Sequence, residues 1–237
     1  KALAGFVFGP VCGGLDRVLT NGKDVLYENC LDDLFGNIPG IWTFVPNEYY
    51  EEAKAYMLDE TENALLIKKL DAYHYGVMDS TKAILDNALA HGMKLAVISN
   101  YGKAAVPVLT DDGYQSDFLI DTSRTSLGAT CADFGKTLGD GYTQRIGDGH
   151  NHISCDGVID ASTCMYPEYT WFIKDMMHTW YTAGYYDFTW SLAQSKSQPT
   201  VNSIAEYPQF LYNDQTTKTI VPLTDENSNT QNTDADV

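Results

Sequence analysis

The sequence has 237 residues, of which 44% are hydrophobic and 12% aromatic, and this is enough for one sizeable domain with its own core. Such values exclude a disordered chain. The net charge of −17 at pH 7 argues against nucleic acid or anionic membranes as partners, because this surface repels phosphate groups. No stretch approaches the roughly 18 apolar residues of a membrane-spanning helix, so we expect no transmembrane segment.

The first element in chain order is a short apolar run at residues 3–8, which ends at Gly9-Pro10. This run predicts a buried strand followed by a turn. It is not a signal peptide, because it carries one positive charge, is short and leaves no room for a cleavage region. Because the sequence begins with a predicted core strand, we expect the sheet to have further strands that precede this segment.

Three helices are predicted between Asn47 and His91. The first, at 47–58, has Asn47 as its N-cap and glutamates near the positive end of the helix dipole. The second covers 60–72 and the third 79–91, where Gly92 follows as the C-terminal glycine. We interpret 47–91 as a helical, cap-like insertion. The alternative, which we prefer for 79–91, is the ordinary crossover layer of a parallel sheet.

The second half of the chain carries the pattern of an α/β sheet. The apolar run 94–99 follows a helix and predicts a central parallel strand, and residues 170–174 predict another. Between them lies a long segment rich in Gly, Asp, Ser and Thr, which is typical of a functional loop and includes a short predicted strand at 118–121. A last helix is predicted at 182–194. Residues 223–237 have almost no apolar side chains and predict a disordered polar tail.

The five cysteines are an odd number, so at least one is unpaired or pairs outside this chain. Cys131, Cys155 and Cys164 lie in one loop-rich region and could supply one disulfide, although the sequence does not say which pair. Together with the acidic, Tyr-rich composition, this predicts an extracellular protein, either secreted or at the cell surface.

Asp156 and His178 are the candidate catalytic residues. Acyl transfer through a serine needs a base, a carboxylate that orients the base, and donors for the oxyanion. In α/β-hydrolases the chain order is Ser, then Asp or Glu, then His, on loops that follow strands. Asp156 lies in the long loop, and His178 follows the predicted strand 170–174. Asp148, in Gly147-Asp148-Gly149, is the rival acid.

A metal site is a further possibility that the sequence leaves open. Five polar side chains alternate along one stretch and would share a face in an extended chain: Asp148, His150, His152, Ser154 and Asp156. Their spacing does not match a calcium loop. We assign no metal ligand and predict no cofactor, and a structural metal bound by this stretch stays the alternative.

Around these residues the chain resembles the lecithin:cholesterol acyltransferase-like branch of the α/β-hydrolases, which includes lysosomal phospholipases. Asp156-Gly157-Val158-Ile159 followed by Ser162 resembles the G-D-G-x-V-x-x-x-S motif of that branch, with Cys155 in place of the usual Gly. The family's segment of a hydrophobic strand that leads to the histidine is similar to TWFIKDMMH. The family's strand and loop after the nucleophile helix resemble FVFGPVCGG, and the stretch that comes next resembles IPGIWTFVPNEYY. The resemblance implies that residues 1–222 are the C-terminal part of an α/β-hydrolase, with a partial sheet, acting on an apolar or lipid ester by hydrolysis or acyl transfer.

The nucleophile of that family lies in G-x-S-x-G, and this sequence lacks it. Ser99 has Val97 and Tyr101 at the flanking positions, and Ser126 has Arg124, so neither can form the tight elbow. We expect the serine on an N-terminal half of the same hydrolase, as a separate or cleaved chain. The alternative is a non-catalytic extracellular binding or surface module that retains a hydrolase fold.

Overall fold

The computed structural model describes residues 32–104, 113–147 and 149–228. The predicted strand at residues 3–8, both cysteines before residue 32 and the rival acid Asp148 lie outside the described residues. The chain divides into two compact units, one ending at Met93 and the other starting at Lys94.

The first unit is helical. Its elements are α1 (Asp32–Asn37), a 3-10 helix (Pro39–Phe44), α2 (Asn47–Met57), α3 (Ala64–Asp71), a π-helix (Ala72–Met78) and α4 (Thr81–Ala90). Its apolar core includes Phe35, Trp42, Tyr50 and Leu70, and the Trp42 indole donates a hydrogen bond to the Phe35 carbonyl at 2.8 Å. Burying large aromatic side chains from several short helices stabilises a unit in which no single helix is long.

The three predicted helices are present in this unit, with two corrections. Pro46, not Asn47, occupies the N-cap of α2, and the Asn47 amide instead donates to the His74 carbonyl and to Asp79. The second helix begins at Ala64, because the Asp59 carboxylate accepts hydrogen bonds from following backbone amides and holds a turn there. The predicted role of Gly92 is confirmed by its φ of +85°.

The second unit contains a four-stranded sheet that is mostly parallel. In sheet order its strands are β1 (Val97–Tyr101), β6 (Thr170–Lys174), β7 (Phe210–Asp214) and β8 (Thr219–Pro222), and β8 is antiparallel to β7. The α/β class is therefore correct, and the strand at 170–174 is confirmed. The strand predicted at 94–99 begins three residues later, and β1 lies at the edge of the described sheet, not at its centre.

Helix α6 (Ala183–Gln194) confirms the last predicted helix. Its Phe188 and Leu192 are buried in one core with Trp171, Ile173 and Leu211 of the sheet. Strands β7 and β8 were not predicted. The short helix α7 (Asp225–Ser228) lies at the start of the predicted polar tail. Thr224 and Asn227 exchange hydrogen bonds at its start, and Lys174 contacts the Ser228 carbonyl, so this part of the tail is folded. The rest of the predicted tail, residues 229–237, lies outside the described residues.

The long segment between β1 and β6 folds into short elements. They are β2 (Lys103–Ala104), β3 (Gln115–Ser116), α5 (Thr122–Thr125), β4 (Thr130–Cys131), β5 (Ile159–Asp160) and two 3-10 helices (Ala161–Thr163, Pro167–Tyr169). The strand predicted at 118–121 is instead a bend closed by a bridge between Ser116 and Asp121. Tyr101, Ile159 and Phe172 are buried together and fix this segment against the sheet.

The disulfide predicted in this segment is not formed. Cys131, Cys155 and Cys164 are free thiols. Cys164 is buried with its Sγ 3.5 Å from Thr170 Oγ1, whereas Cys155 is exposed, so local contacts direct these side chains to different surroundings. Among the described residues, no helix is both long enough and apolar enough to cross a membrane.

Candidate functional site

The carboxyl ends of β1 and β6 bring together the polar side chains of the candidate site. In open α/β sheets, ligands bind at this edge because the loops that follow the parallel strands converge there. Tyr101 is the last residue of β1, and Gly102 and Lys103 come directly after it. Asp175 directly follows β6, and His178 comes three residues after Asp175. Most of the charged groups of the candidate site therefore lie at one edge of the sheet.

His178 is paired with Asp117. The His178 Nδ1 lies 2.7 Å from Asp117 Oδ2, and the His178 backbone amide donates to the Asp117 carbonyl at 2.9 Å. The Asp117 side chain is 5% exposed and that of His178 is 35% exposed. The backbone amides of Leu119 and Ile120 donate to Asp117 Oδ1 at 3.0 and 2.7 Å, which leaves Oδ2 directed at the imidazole. A carboxylate on Nδ1 fixes the tautomer in which Nε2 can accept a proton.

Asp156 has different partners from the one predicted. Its Oδ2 accepts from Lys174 Nζ at 3.0 Å and from the Tyr101 hydroxyl at 3.1 Å, and its Oδ1 accepts from Ser154 Oγ at 2.6 Å. The structure therefore joins Asp156 to a lysine, not to His178. Burial, together with the Asp156 charge, raises the pKa of Tyr101 well above its usual value, so this phenol stays protonated and donates. An open pocket of about 330 Å³ adjoins Asp156 and is lined mainly by residues 137–142.

Asp175 combines a left-handed backbone conformation with a buried carboxylate at this edge. Its φ is +60°, which is unfavourable for any residue with a Cβ, and its side chain is buried. Oδ1 lies 3.5 Å from Lys103 Nζ, whereas Oδ2 has no hydrogen-bond partner among the described residues. Burial raises the pKa of Asp175 even though Lys103 and Lys174 act in the opposite direction. Strain and an incompletely paired buried carboxylate are both typical of functional sites.

Gly102 makes the close approach to Asp175 possible. Its φ is +89°, and a Cβ at this position would lie 3.1 Å from Asp175 Oδ1 and 3.2 Å from the Asp175 backbone nitrogen. A larger residue here would meet both a left-handed backbone conformation and a crowded carboxylate.

The predicted metal candidates separate in the structure. Ser154 and Asp156 belong to the network around Lys174. His150 and His152 instead lie beside Glu168, and the potential ligand atoms of these three residues are all within 4.8 Å of one another. Glu168 lies in the 3-10 helix that immediately precedes β6. This second cluster is therefore at the amino end of β6, away from the carboxyl edge.

Sequence reasoning missed Asp117, Lys174, Asp175 and Glu168. The partner of His178 lies 61 residues before it in the chain, so local spacing could not identify the pair. No family model, no curated protein and no solved structure matches this chain. Its function must therefore be inferred from the residues themselves and from the geometry of the site.

Proposed function

We propose that the chain is part of an acyl-ester hydrolase or acyltransferase of the serine type, in which His178 is the general base. The observation that supports this most directly is the hydrogen bond of 2.7 Å between His178 Nδ1 and the buried Asp117. A base whose second nitrogen is held by a carboxylate is the part of a triad that can be recognised without its nucleophile. Its position after a parallel strand fits the same chemistry.

In this mechanism His178 Nε2 removes the proton from a serine hydroxyl as the oxygen attacks the acyl carbon. The imidazolium then protonates the leaving alkoxide, and an acyl-serine remains. Water or an alcohol, whose proton passes to the same Nε2, attacks the acyl carbon, and the serine oxygen leaves and takes that proton back. Asp117 holds the imidazole in the productive tautomer and stabilises its positive charge. Asp156 is the acid that the resemblance implies, and it remains the alternative if its contacts with Lys174 rearrange in the assembled enzyme.

The serine would come from another segment or polypeptide. Every serine in this sequence lies among the described residues, and the two that the sequence singled out are fixed in local structure. Ser99 Oγ is 2.6 Å from Thr125 Oγ1, and Ser126 Oγ donates to the Ser123 carbonyl. We therefore propose an N-terminal half of the same hydrolase as the partner, in an extracellular protein.

An apolar ester is the substrate class that fits the surroundings of His178. Trp180 and Tyr181 lie two and three residues after it and are exposed, as are Tyr186 and Trp190 on α6. Tyr181 stacks on Tyr185 with ring centroids 4.3 Å apart. Exposed aromatic clusters of this kind contact ligands or lipid chains. The same surface would also suit a non-catalytic binding module, which is the second candidate function.

The decisive experiment uses the purified protein with any polypeptide that co-purifies with it. A fluorophosphonate probe should label a serine in that material, and mass analysis should find the label in a G-x-S-x-G peptide. His178→Ala and Asp117→Asn should each reduce ester hydrolysis by about 10⁴-fold. Asp156→Asn should reduce it less than tenfold, a bound that allows for indirect effects. The exposed His91→Ala is the control and should leave the rate unchanged.

Three results would change the assignment. Normal activity in the His178→Ala variant would reject His178 as the base. A large loss with Asp156→Asn and none with Asp117→Asn would restore Asp156 as the orienting acid. If the probe labels nothing and no second polypeptide is found, the chain is not an enzyme of this type, and the binding module becomes the better explanation.

A further inference from the structure

A second chemical cluster lies at the amino end of β6 and is independent of the site around His178. Its members are His150, His152 and Glu168. The His150 Nδ1 is 2.6 Å from Glu168 Oε1, and the His152 Nε2 is 3.5 Å from the same oxygen. The His152 side chain is 1% exposed, whereas the other two side chains reach the surface. Two imidazole nitrogens therefore converge on one carboxylate oxygen.

Gln209 determines which nitrogen of His152 carries the proton. The Gln209 amide nitrogen donates to the carbonyls of Pro167 and Thr170 at 2.7 and 3.2 Å, which turns its Oε1 towards His152. That oxygen is 2.5 Å from His152 Nδ1 and can only accept, so Nδ1 is the donor. In the neutral ring the lone pair is then on Nε2, which faces Glu168. A histidine whose other nitrogen donates to an amide oxygen has the arrangement usual for a metal ligand.

The backbone of the histidine segment is also held in place. The Gln144 side chain accepts from the His152 amide at 2.7 Å and donates to the His150 carbonyl at 3.0 Å, so one residue fixes both histidines. The His152 carbonyl accepts from the Ala161 amide at 2.8 Å. Two ligands on a preorganised segment lose little conformational entropy when they bind an ion.

We propose that His150, His152 and Glu168 form a zinc site. Two imidazoles and one carboxylate are a ligand set that suits Zn²⁺, whereas Ca²⁺ and Mg²⁺ require mainly oxygen ligands. Tetrahedral ligands at about 2.1 Å from zinc lie about 3.4 Å from one another. The two histidine nitrogens lie 2.6 and 3.5 Å from Glu168 Oε1, and all three ligand atoms lie within 4.8 Å of one another. The His150 side chain is 51% exposed and can move outward to lengthen its contact with Glu168.

The position of this site gives it a structural role. Glu168 precedes β6 and His178 follows it, so the strand, at about 3.3 Å per residue, separates the zinc site from the proposed base. The ion would link the segment at 150–152 to the 3-10 helix Pro167–Tyr169, and Gln209 extends the link to the start of β7. It would stabilise the long segment between β1 and β6 without taking part in catalysis.

The test measures zinc binding by the full chain after treatment with a chelator and dialysis into metal-free buffer. Calorimetric titration with ZnCl₂ should give one saturable site per chain and raise the melting temperature. Co²⁺ in place of zinc should give the intense visible absorption of a tetrahedral site. Glu168→Gln and His150→Gln should weaken zinc binding by about 100-fold or more without altering the circular dichroism spectrum, because both side chains lie partly at the surface.

Two matched variants separate this site from weak binding to an acidic surface. His91→Gln and Glu206→Gln replace the same residue types at exposed positions and should bind zinc as the unmodified protein does. The proposal is wrong if no saturable binding occurs, since the cluster is then an ordinary imidazole–carboxylate pair. It is also wrong if Glu168→Gln and Glu206→Gln bind zinc with the same affinity.

Discussion

At the scale of single residues, Asp117 and Asp156 differ in the basic side chain that each one faces. Asp117 faces an imidazole that is partly exposed, whereas Asp156 faces Lys174, with side-chain exposures of 6% for Asp156 and 14% for Lys174. A carboxylate that is hydrogen-bonded to one nitrogen of a histidine, while the other nitrogen can accept a proton, suits catalysis. One that forms a largely buried ion pair, with a tyrosine hydroxyl and a serine hydroxyl on its oxygens, suits the maintenance of structure.

Replacing Lys174 tests the structural role of that ion pair. Lys174→Met should lower the free energy of unfolding by about 3 kcal/mol, because it leaves the Asp156 carboxylate buried without its cation. Urea denaturation measures the change. Adding Asp156→Asn to Lys174→Met should recover part of the loss, since the double variant no longer buries an unpaired charge.

Lys136→Met is the matched control for this prediction. Lys136 forms an ion pair of the same kind with Asp133 at 2.7 Å, but the side chains are 70% and 52% exposed, so its loss should cost less than about 1 kcal/mol. Equal losses for Lys174→Met and Lys136→Met would show that the Asp156 pair is not an important buried interaction.

At the scale of secondary-structure elements, the contact between α6 and β8 depends on one small residue. Gly184 lies in the first turn of α6, and its amide donates to the Lys218 carbonyl at 3.0 Å. A Cβ on Gly184 would lie 2.5 Å from the Ile220 backbone nitrogen and 2.6 Å from the Thr219 Cα. Because both neighbours are backbone atoms of a strand, they cannot move aside as a flexible side chain could.

Gly184→Ala should therefore lower the free energy of unfolding by about 2 kcal/mol or more, as overpacking of a close contact does. The thermal melting temperature, followed by circular dichroism, measures this. Gly76→Ala is the control, because nothing lies within 4 Å of a Cβ at that helical position. It should be neutral or stabilise by up to about 1 kcal/mol. If the melting temperature of the Gly184→Ala variant were no lower than that of Gly76→Ala, α6 would not pack on β8 as closely as we describe.

At the scale of the whole molecule, the net charge of −17 opposes compaction, because charges of one sign repel more strongly in the folded state than in an expanded chain. The sequence has 32 acidic residues and 15 lysines and arginines, so fewer than half of the carboxylates can each be matched by a separate cation of these types. At 0.1 M ionic strength the screening length is about 10 Å. Low salt therefore leaves much of this repulsion unscreened.

We expect the melting temperature at pH 7 to rise when NaCl is increased from about 20 mM to about 500 mM, since added ions screen the repulsion. Chloride is preferable to sulfate, because sulfate stabilises proteins by a separate exclusion effect. The measurement should be made with zinc absent, so that ion pairs and charge repulsion are the only terms that change. A fall in melting temperature would mean that specific ion pairs such as Lys174–Asp156 outweigh the net repulsion.

The sequence by itself determined the elements whose pattern is local. Helices near 47–57 and 183–194 and the strand 170–174 follow from runs of apolar residues and from glycine at a helix end, which act within one or two turns of chain. It also identified His178 as the residue after a strand. It did not identify β7 and β8, because the antiparallel pair is defined by its register with other strands as much as by its own pattern.

Only the tertiary structure decided which polar groups meet. The prediction paired His178 with Asp156, which is nearer in sequence, whereas folding brings His178 to Asp117 and gives Asp156 to Lys174. It also brings Glu168 to His150 and His152, which are on a different segment. Periodicity reports burial and local conformation, but it carries no information about contacts between distant loops. Those contacts depend on where the sheet places the ends of β1 and β6.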